Sequence, residues 1–203
     1  MAGHDARARG SVAGVDAVRP VNRLFVAAEL PAAARERAAA LGREVAGRVD
    51  GRAVPAASLH VTLEFLGPVP ADRVPALAEA VTGAAAGPPA RVAPAALRAR
   101  PRAARARLVA LELADPDGVL AAMAGRVRGA ADRALGRAPS AVAFWPHVTI
   151  VRLRRPARVA GLPAVDGERL FDISRAALYD SVQSPGGPPE YRELAAVELS
   201  PAR

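Results

Sequence analysis

The chain contains no cysteine and no lysine. The first absence excludes disulfides, thiolate nucleophiles and Cys-ligated zinc. The second leaves all 28 basic side chains as arginine, in a protein of formal net charge +8. Aromatic residues make up 3% of the chain, and histidines number three. No unbroken apolar run approaches the length of a membrane span. The opening segment MAGHDARARGSVAGVDAVRP lacks the apolar centre of a secretion signal, so a cytoplasmic protein is expected. Three catalytic signatures are also missing: a G-x-S-x-G nucleophile elbow, a Walker phosphate loop, and a glycine-rich turn after the first strand. What remains is 51% hydrophobic over 203 residues, a globular composition with enough chain for one core or two small lobes sharing it.

Residues 1–20, which include His4, read as a loose tail rich in Gly, Ala and Arg, and residues 21–203 as a single bilobal domain. RLFVAAEL (23–30) reads as a strand and AAARERAAALGREVAG after it as a surface helix, with Pro31 near its first turn. LHVTLEFL (59–66) is a second strand, expected to stop at Gly67-Pro68. Residues 71–86 suggest a helix with Pro75 in its first turn, and RVAPAALRA a weak strand interrupted by Pro94. RLVALEL (107–113) then resembles the first strand. A helix follows with Val119, Leu120, Met123 and Val127 on its apolar side, and then the strand WPHVTIVRL. Each half thus reads strand, helix, His-x-Thr strand, a weak sequence repeat with a consistent architecture. RLFDISRAALYDSV and YRELAAVEL close the chain as neighbouring strands around the loop SPGGPP.

His-Val-Thr followed by an aliphatic residue occurs twice, and the two copies hold two of the three histidines. Side chains alternate along a strand, which puts His60, Thr62 and Glu64 on one face and Val61, Leu63 and Phe65 on the core face. In the second copy His147, Thr149 and Val151 share a face, Val148 and Ile150 take the other, and alternation sets Arg152 opposite His147. Two imidazoles on opposite walls of a groove suit in-line attack of water on a phosphodiester. One accepts the water proton and the other supplies a proton to the leaving oxygen. The threonine hydroxyls can donate to the non-bridging oxygens. Arginines 98, 100, 102, 105 and 107, and 152, 154, 155 and 158, form two clusters suited to a polyanion or to plain solvent exposure. Metallo-phosphoesterase chemistry lacks its clustered ligands here, since only His60 and His147 are credible and Glu64 is the one nearby carboxylate.

RLFVAAELP, LHVTLEFLG, FWPHVTIVR and LYDSVQSPGGPPEY, in this order over about residues 21–200, resemble the motifs of the 2H phosphoesterase superfamily. Within it the chain is most similar to the RNA 2′,3′-cyclic phosphodiesterases, also called the 2′-5′ RNA ligase family. The resemblance implies an α+β fold of two pseudo-symmetric lobes, each with a small antiparallel sheet and outer helices, around a central cleft. It implies catalysis by His60 and His147, with His60 protonating the leaving 3′ oxygen and His147 activating water. Thr62, Thr149 and Arg152 would hold phosphate, and Phe25 would contact the terminal base. Neither metal nor nucleotide cofactor is implied. The substrate would be RNA ending in a 2′,3′-cyclic phosphate, tRNA fragments included, and the product a 2′-phosphate end. Some members join RNA through a 2′-5′ bond by the reverse reaction. A monomer is expected.

The chain departs from that pattern in its aromatics. Ala53 in GRAV stands where the family carries tryptophan, and Val109-Ala110 lacks another, so fewer platforms for stacking bases are expected. Two rival functions fit the same motifs: hydrolysis of another small cyclic phosphate, such as ADP-ribose cyclic phosphate or a cyclic mononucleotide, and silent RNA binding.

Overall fold

The computed structural model describes residues 21–139, 142–165, 169–183 and 189–200. Nine strands and three α-helices are present among them: β1 Val21–Glu29, α1 Ala32–Ala46, β2 Gly51–Ala53, β3 His60–Pro70, α2 Val74–Ala85, β4 Ala90–Arg100, β5 Ala106–Ala114, α3 Val119–Leu135, β6 His147–Ala157, β7 Phe171–Ile173, β8 Arg175–Val182 and β9 Glu190–Glu198. The expected tail at residues 1–20 and the Gly-Gly turn in SPGGPP lie outside the described residues.

The α+β class and the antiparallel strands are as expected. The two strand groups, however, form one sheet, in the order β7-β4-β5-β6-β3-β1-β8-β9, with β2 pairing β6. Its halves meet at β3 and β6 through one registered pair, Val61 with Val148. Both valines are fully buried, so the local repeat meets itself at the molecule's centre. The crossover helices are exchanged between the halves. Helix α1, which follows β1, packs on β2 and β6, and α3, which follows β5, packs on β3. Helix α2 packs against α3, β8 and β9. Helices α1 and α3 therefore each support the motif strand of the opposite half.

The core is built from small aliphatics. Leu24, Val26 and Ala28 of β1 join Leu63, Leu77, Val81, Leu120, Met123 and Val127. Alanines 34, 38 and 39 let α1 lie close to the sheet. The closest approach is at Gly42, where an added Cβ would stand 2.8 Å from the carbonyl oxygen of Ile150 on β6.

Three boundaries differ from the sequence expectation. Strand β3 does not stop at Gly67-Pro68 but runs to Pro70, still paired with β1. Gly67 has φ 71°, a conformation costly for residues with a Cβ, and this carries the strand through the irregularity. Pro94 does not break β4; it sits where the pairing with β5 slips between Pro94 and Ala96, a bulge position that tolerates proline. RLFDISRAALYDSV is split at Ser174: β7 pairs with β4 at the far edge, while β8 lies between β1 and β9. Pro75 lies in the first turn of α2, as expected.

Candidate active site

The two motifs share more than their letters. His60 pairs in register with Glu29 of β1, and His147 with Glu112 of β5. Thr62 lies opposite Ala27 and Thr149 opposite Ala110. The resemblance of RLFVAAEL to RLVALEL is thus a correspondence of register. Both strands then insert an extra residue. Leu63 has no partner between Thr62–Ala27 and Glu64–Val26, and Ile150 has none between Thr149–Ala110 and Val151–Val109. Such a bulge reverses the alternation beyond it.

That reversal overturns two expectations. Glu64 does not share the histidine face; it points under the sheet and forms an ion pair with Arg128 of α3 at 2.8 Å. Phe65 is not core: it is 70% exposed and lines the cleft. In the second motif the bulge brings Arg152 round to the face of His147 and Thr149, a turn that strict alternation forbids. Phe65 and Arg152 occupy equivalent places, each three residues after its threonine.

His60, His147, Thr62, Thr149, Phe25 and Arg152 all border one cleft of about 560 Å³. Each imidazole is held alike. Nδ1 of His60 lies 2.9 Å from the Ser58 carbonyl oxygen, and Nδ1 of His147 lies 2.8 Å from that of Trp145. A carbonyl only accepts, so Nδ1 carries the proton in each ring, and Nε2 is left as the reactive nitrogen.

Behind the rings stand two different stacks. The His147 ring lies on Trp145 at 4.0 Å and 16°, and the Arg100 guanidinium covers Trp145 at 3.9 Å from its centroid. The Trp145 indole N–H donates to Glu112 at 2.9 Å, and Arg98 holds the same carboxylate at 2.8 Å. These two donors, Arg98 first, keep the Glu112 carboxyl below its usual range. On the other wall His60 stacks on Phe25 at 5.0 Å, and Phe25 stacks on Tyr179 at 5.4 Å. The Tyr179 hydroxyl donates to Glu29 at 2.6 Å, and Arg175 pairs with that carboxylate. Phe25 is only 4% exposed, with a ring on each side, so its faces are not open to a base. The other aromatic residues lining the cleft among the described residues are Phe65, which is 70% exposed, and the half-buried Tyr191. Sequence alternation hid Phe65, and the bulge at Leu63 reveals it.

Both imidazoles are held below the ordinary histidine range. Burial, opposed by the Ser58 hydrogen bond and aided by the charge of Arg152, lowers His60 to about 4. Burial is also the main cause at His147, followed by the Trp145 hydrogen bond, which opposes it, and the charge of Arg100, which lowers it further. An empty cleft at neutral pH therefore holds two neutral rings, below the near-neutral titration usual for histidine.

The arginine clusters divide by partner. Arg98 is tied to Glu112, Arg154 to Asp50 at 3.2 Å, and Arg100 lies on Trp145. Arg152 alone of these lines the histidine cleft. Among the described residues no group of three or more His, Asp or Glu could hold a metal ion. No described helix is long and apolar enough to cross a membrane.

This geometry has known counterparts. The family model of LigT like phosphoesterases matches residues 28–105, which contain the first motif. E. coli LigT, solved in complex with 3′-AMP, superposes with TM-score 0.75 at 28% identity over 89% of this chain and 99% of its own. The chain resembles the LigT-like phosphoesterases of the 2H superfamily, by sequence over its first motif and by fold over most of its length. TT0787 of Thermus thermophilus matches this chain with TM-score 0.74 at 25% identity, over 89% of this chain and all of that one. No curated protein sequence matches it. E. coli LigT has also been solved with ATP and with NADP+.

Proposed function

We propose that this protein hydrolyses the 2′,3′-cyclic phosphodiester at the end of an RNA and leaves a 2′-phosphate. The observation that carries the reading is the pairing of two imidazoles in one cleft, each with Nδ1 tied to a carbonyl and Nε2 left for proton transfer. The complex of E. coli LigT with 3′-AMP supports a nucleotide substrate.

Water attacks phosphorus opposite the 3′ oxygen, and Nε2 of His147 takes its proton. The P–O3′ bond breaks, and the departing oxygen receives the proton held on Nε2 of His60. The product is a 2′-phosphomonoester with a free 3′-hydroxyl. Thr62, Thr149 and Arg152 stabilise the charge gathering on the non-bridging oxygens. Because His60 is neutral in the empty cleft, its proton arrives together with the anionic substrate, whose charge offsets that of Arg152. No step uses a metal or a nucleotide cofactor.

The test is incubation of a short RNA bearing a terminal 2′,3′-cyclic phosphate in EDTA, with the product phosphate located by NMR. A 2′-phosphate end is expected. No turnover, or turnover restored only by a divalent metal, would sink the reading.

A further inference from the structure

The cleft does not end at the histidines. A second hollow of about 460 Å³ opens from it, sharing Val54, Ser58, Arg152 and Tyr191 with the first. Its floor is the short strand β2 laid along β6, with Arg52 directly opposite Arg152. Directly opposed residues on antiparallel strands project to the same side, with Cβ atoms about 5 Å apart. Two arginine side chains thus leave the sheet from neighbouring positions on the same side, both on exposed residues.

Like charges in this relation destabilise a sheet, and a carboxylate between them would relieve it. Asp50, near in sequence, is engaged by Arg154. Among the described residues neither Arg52 nor Arg152 has a carboxylate within ion-pair distance. Among the described residues two adjacent cations thus stand without a carboxylate partner beside the cleft that holds the paired histidines. Paired guanidinium forks match the two free oxygens of a phosphodiester.

We propose that Arg52 and Arg152 form a second phosphate subsite, which binds the internucleotide phosphate on the 5′ side of the terminal cyclic nucleotide. The inference rests on the RNA reading above and sharpens it: the preferred substrate is an oligonucleotide with at least one phosphodiester beyond the cyclic end. Arg152 faces both the scissile and the next phosphate, while Arg52 faces only the next.

The test compares the wild type with Arg52→Ala and Arg52→Lys on two substrates, a 2′,3′-cyclic mononucleotide and a dinucleotide ending in the same cyclic phosphate. With Arg52→Ala, KM for the dinucleotide rises roughly tenfold or more, as for loss of a charged hydrogen-bonding partner, at unchanged kcat. KM for the mononucleotide stays put. Arg52→Lys restores part of the dinucleotide affinity. The salt dependence of dinucleotide binding is steeper in the wild type than in Arg52→Ala, because fewer counterions are released by the variant. Equal changes for the two substrates, or no change for the dinucleotide, overturn the subsite. Failure of the wild type to turn over either substrate refutes the proposed reaction instead. The subsite is then judged by direct titration with an unreactive dinucleotide monophosphate: a roughly tenfold weaker affinity in Arg52→Ala supports it, and equal affinities overturn it.

Discussion

Raising the pH above neutrality should switch the proposed hydrolysis off at a value set by burial. Turnover needs one imidazole protonated and the other free, so kcat/KM follows the singly protonated cleft. That state exists between the lower value, about 4 for His60, and the upper one, which burial places below 6.5 for His147. Above the upper value the reactive fraction falls tenfold per pH unit. Between about pH 6.5 and 8.5 the loss is therefore roughly 50- to 100-fold. The assay is kcat/KM for a cyclic mononucleotide, whose diester does not titrate in this range. A plateau extending to about pH 8 would refute the argument that desolvation sets the titration. Stability should move the opposite way on acidification. A histidine whose folded value is depressed leaves the unfolded chain binding the extra proton as pH falls below 6.5, and the loss is complete below the folded value. For His60 the window is 6.5 to about 4, worth at most about 3 kcal/mol. Thermal melts at about pH 7 and 4.5 read it, and His60→Asn should shrink the difference.

His60→Ala and His147→Ala should each lower kcat by at least about 10²-fold with the fold retained. A substrate with a better 3′ leaving group should rescue His60→Ala in part; rescue of His147→Ala alone would exchange the two roles. Trp145→Ala removes the ring on His147 and the desolvation it brings, so the upper limb of the pH profile should rise toward 6.5, while Trp145→Phe should keep the limb and lose only the bond to Glu112. An unmoved limb in Trp145→Ala would show that the stack does not tune the ring. Gly42→Ala should cost on the order of 1–3 kcal/mol by pressing a methyl on the Ile150 carbonyl at 2.8 Å. It should also lower kcat, since that bulge sets Thr149 and Arg152; an unchanged melting temperature and kcat would show that α1 yields without cost.

The sequence alone determined the chemistry-bearing side chains and most of the elements around them. Two imidazoles and two hydroxyls at period two on aliphatic strands leave little choice of face, and the likeness of RLFVAAEL to RLVALEL resolved into matching register at Glu29 and Glu112. Period two holds only while each residue has one partner. The bulges at Leu63 and Ile150 depend on how β1 and β5 seat against the motif strands, a long-range pairing that the letters 62–65 and 149–152 do not encode. They turned Glu64 to Arg128 and brought Phe65 and Arg152 to the cleft. The depressed titration of His60 likewise comes first from burial in the folded cleft and only then from the charges of Arg152 and His147, remote in the chain. The pairing of Arg52 with Arg152 joins a strand that precedes the first motif to the strand that carries the second. Local sequence fixes which groups a strand can present; only packing between distant strands decides which of them meet.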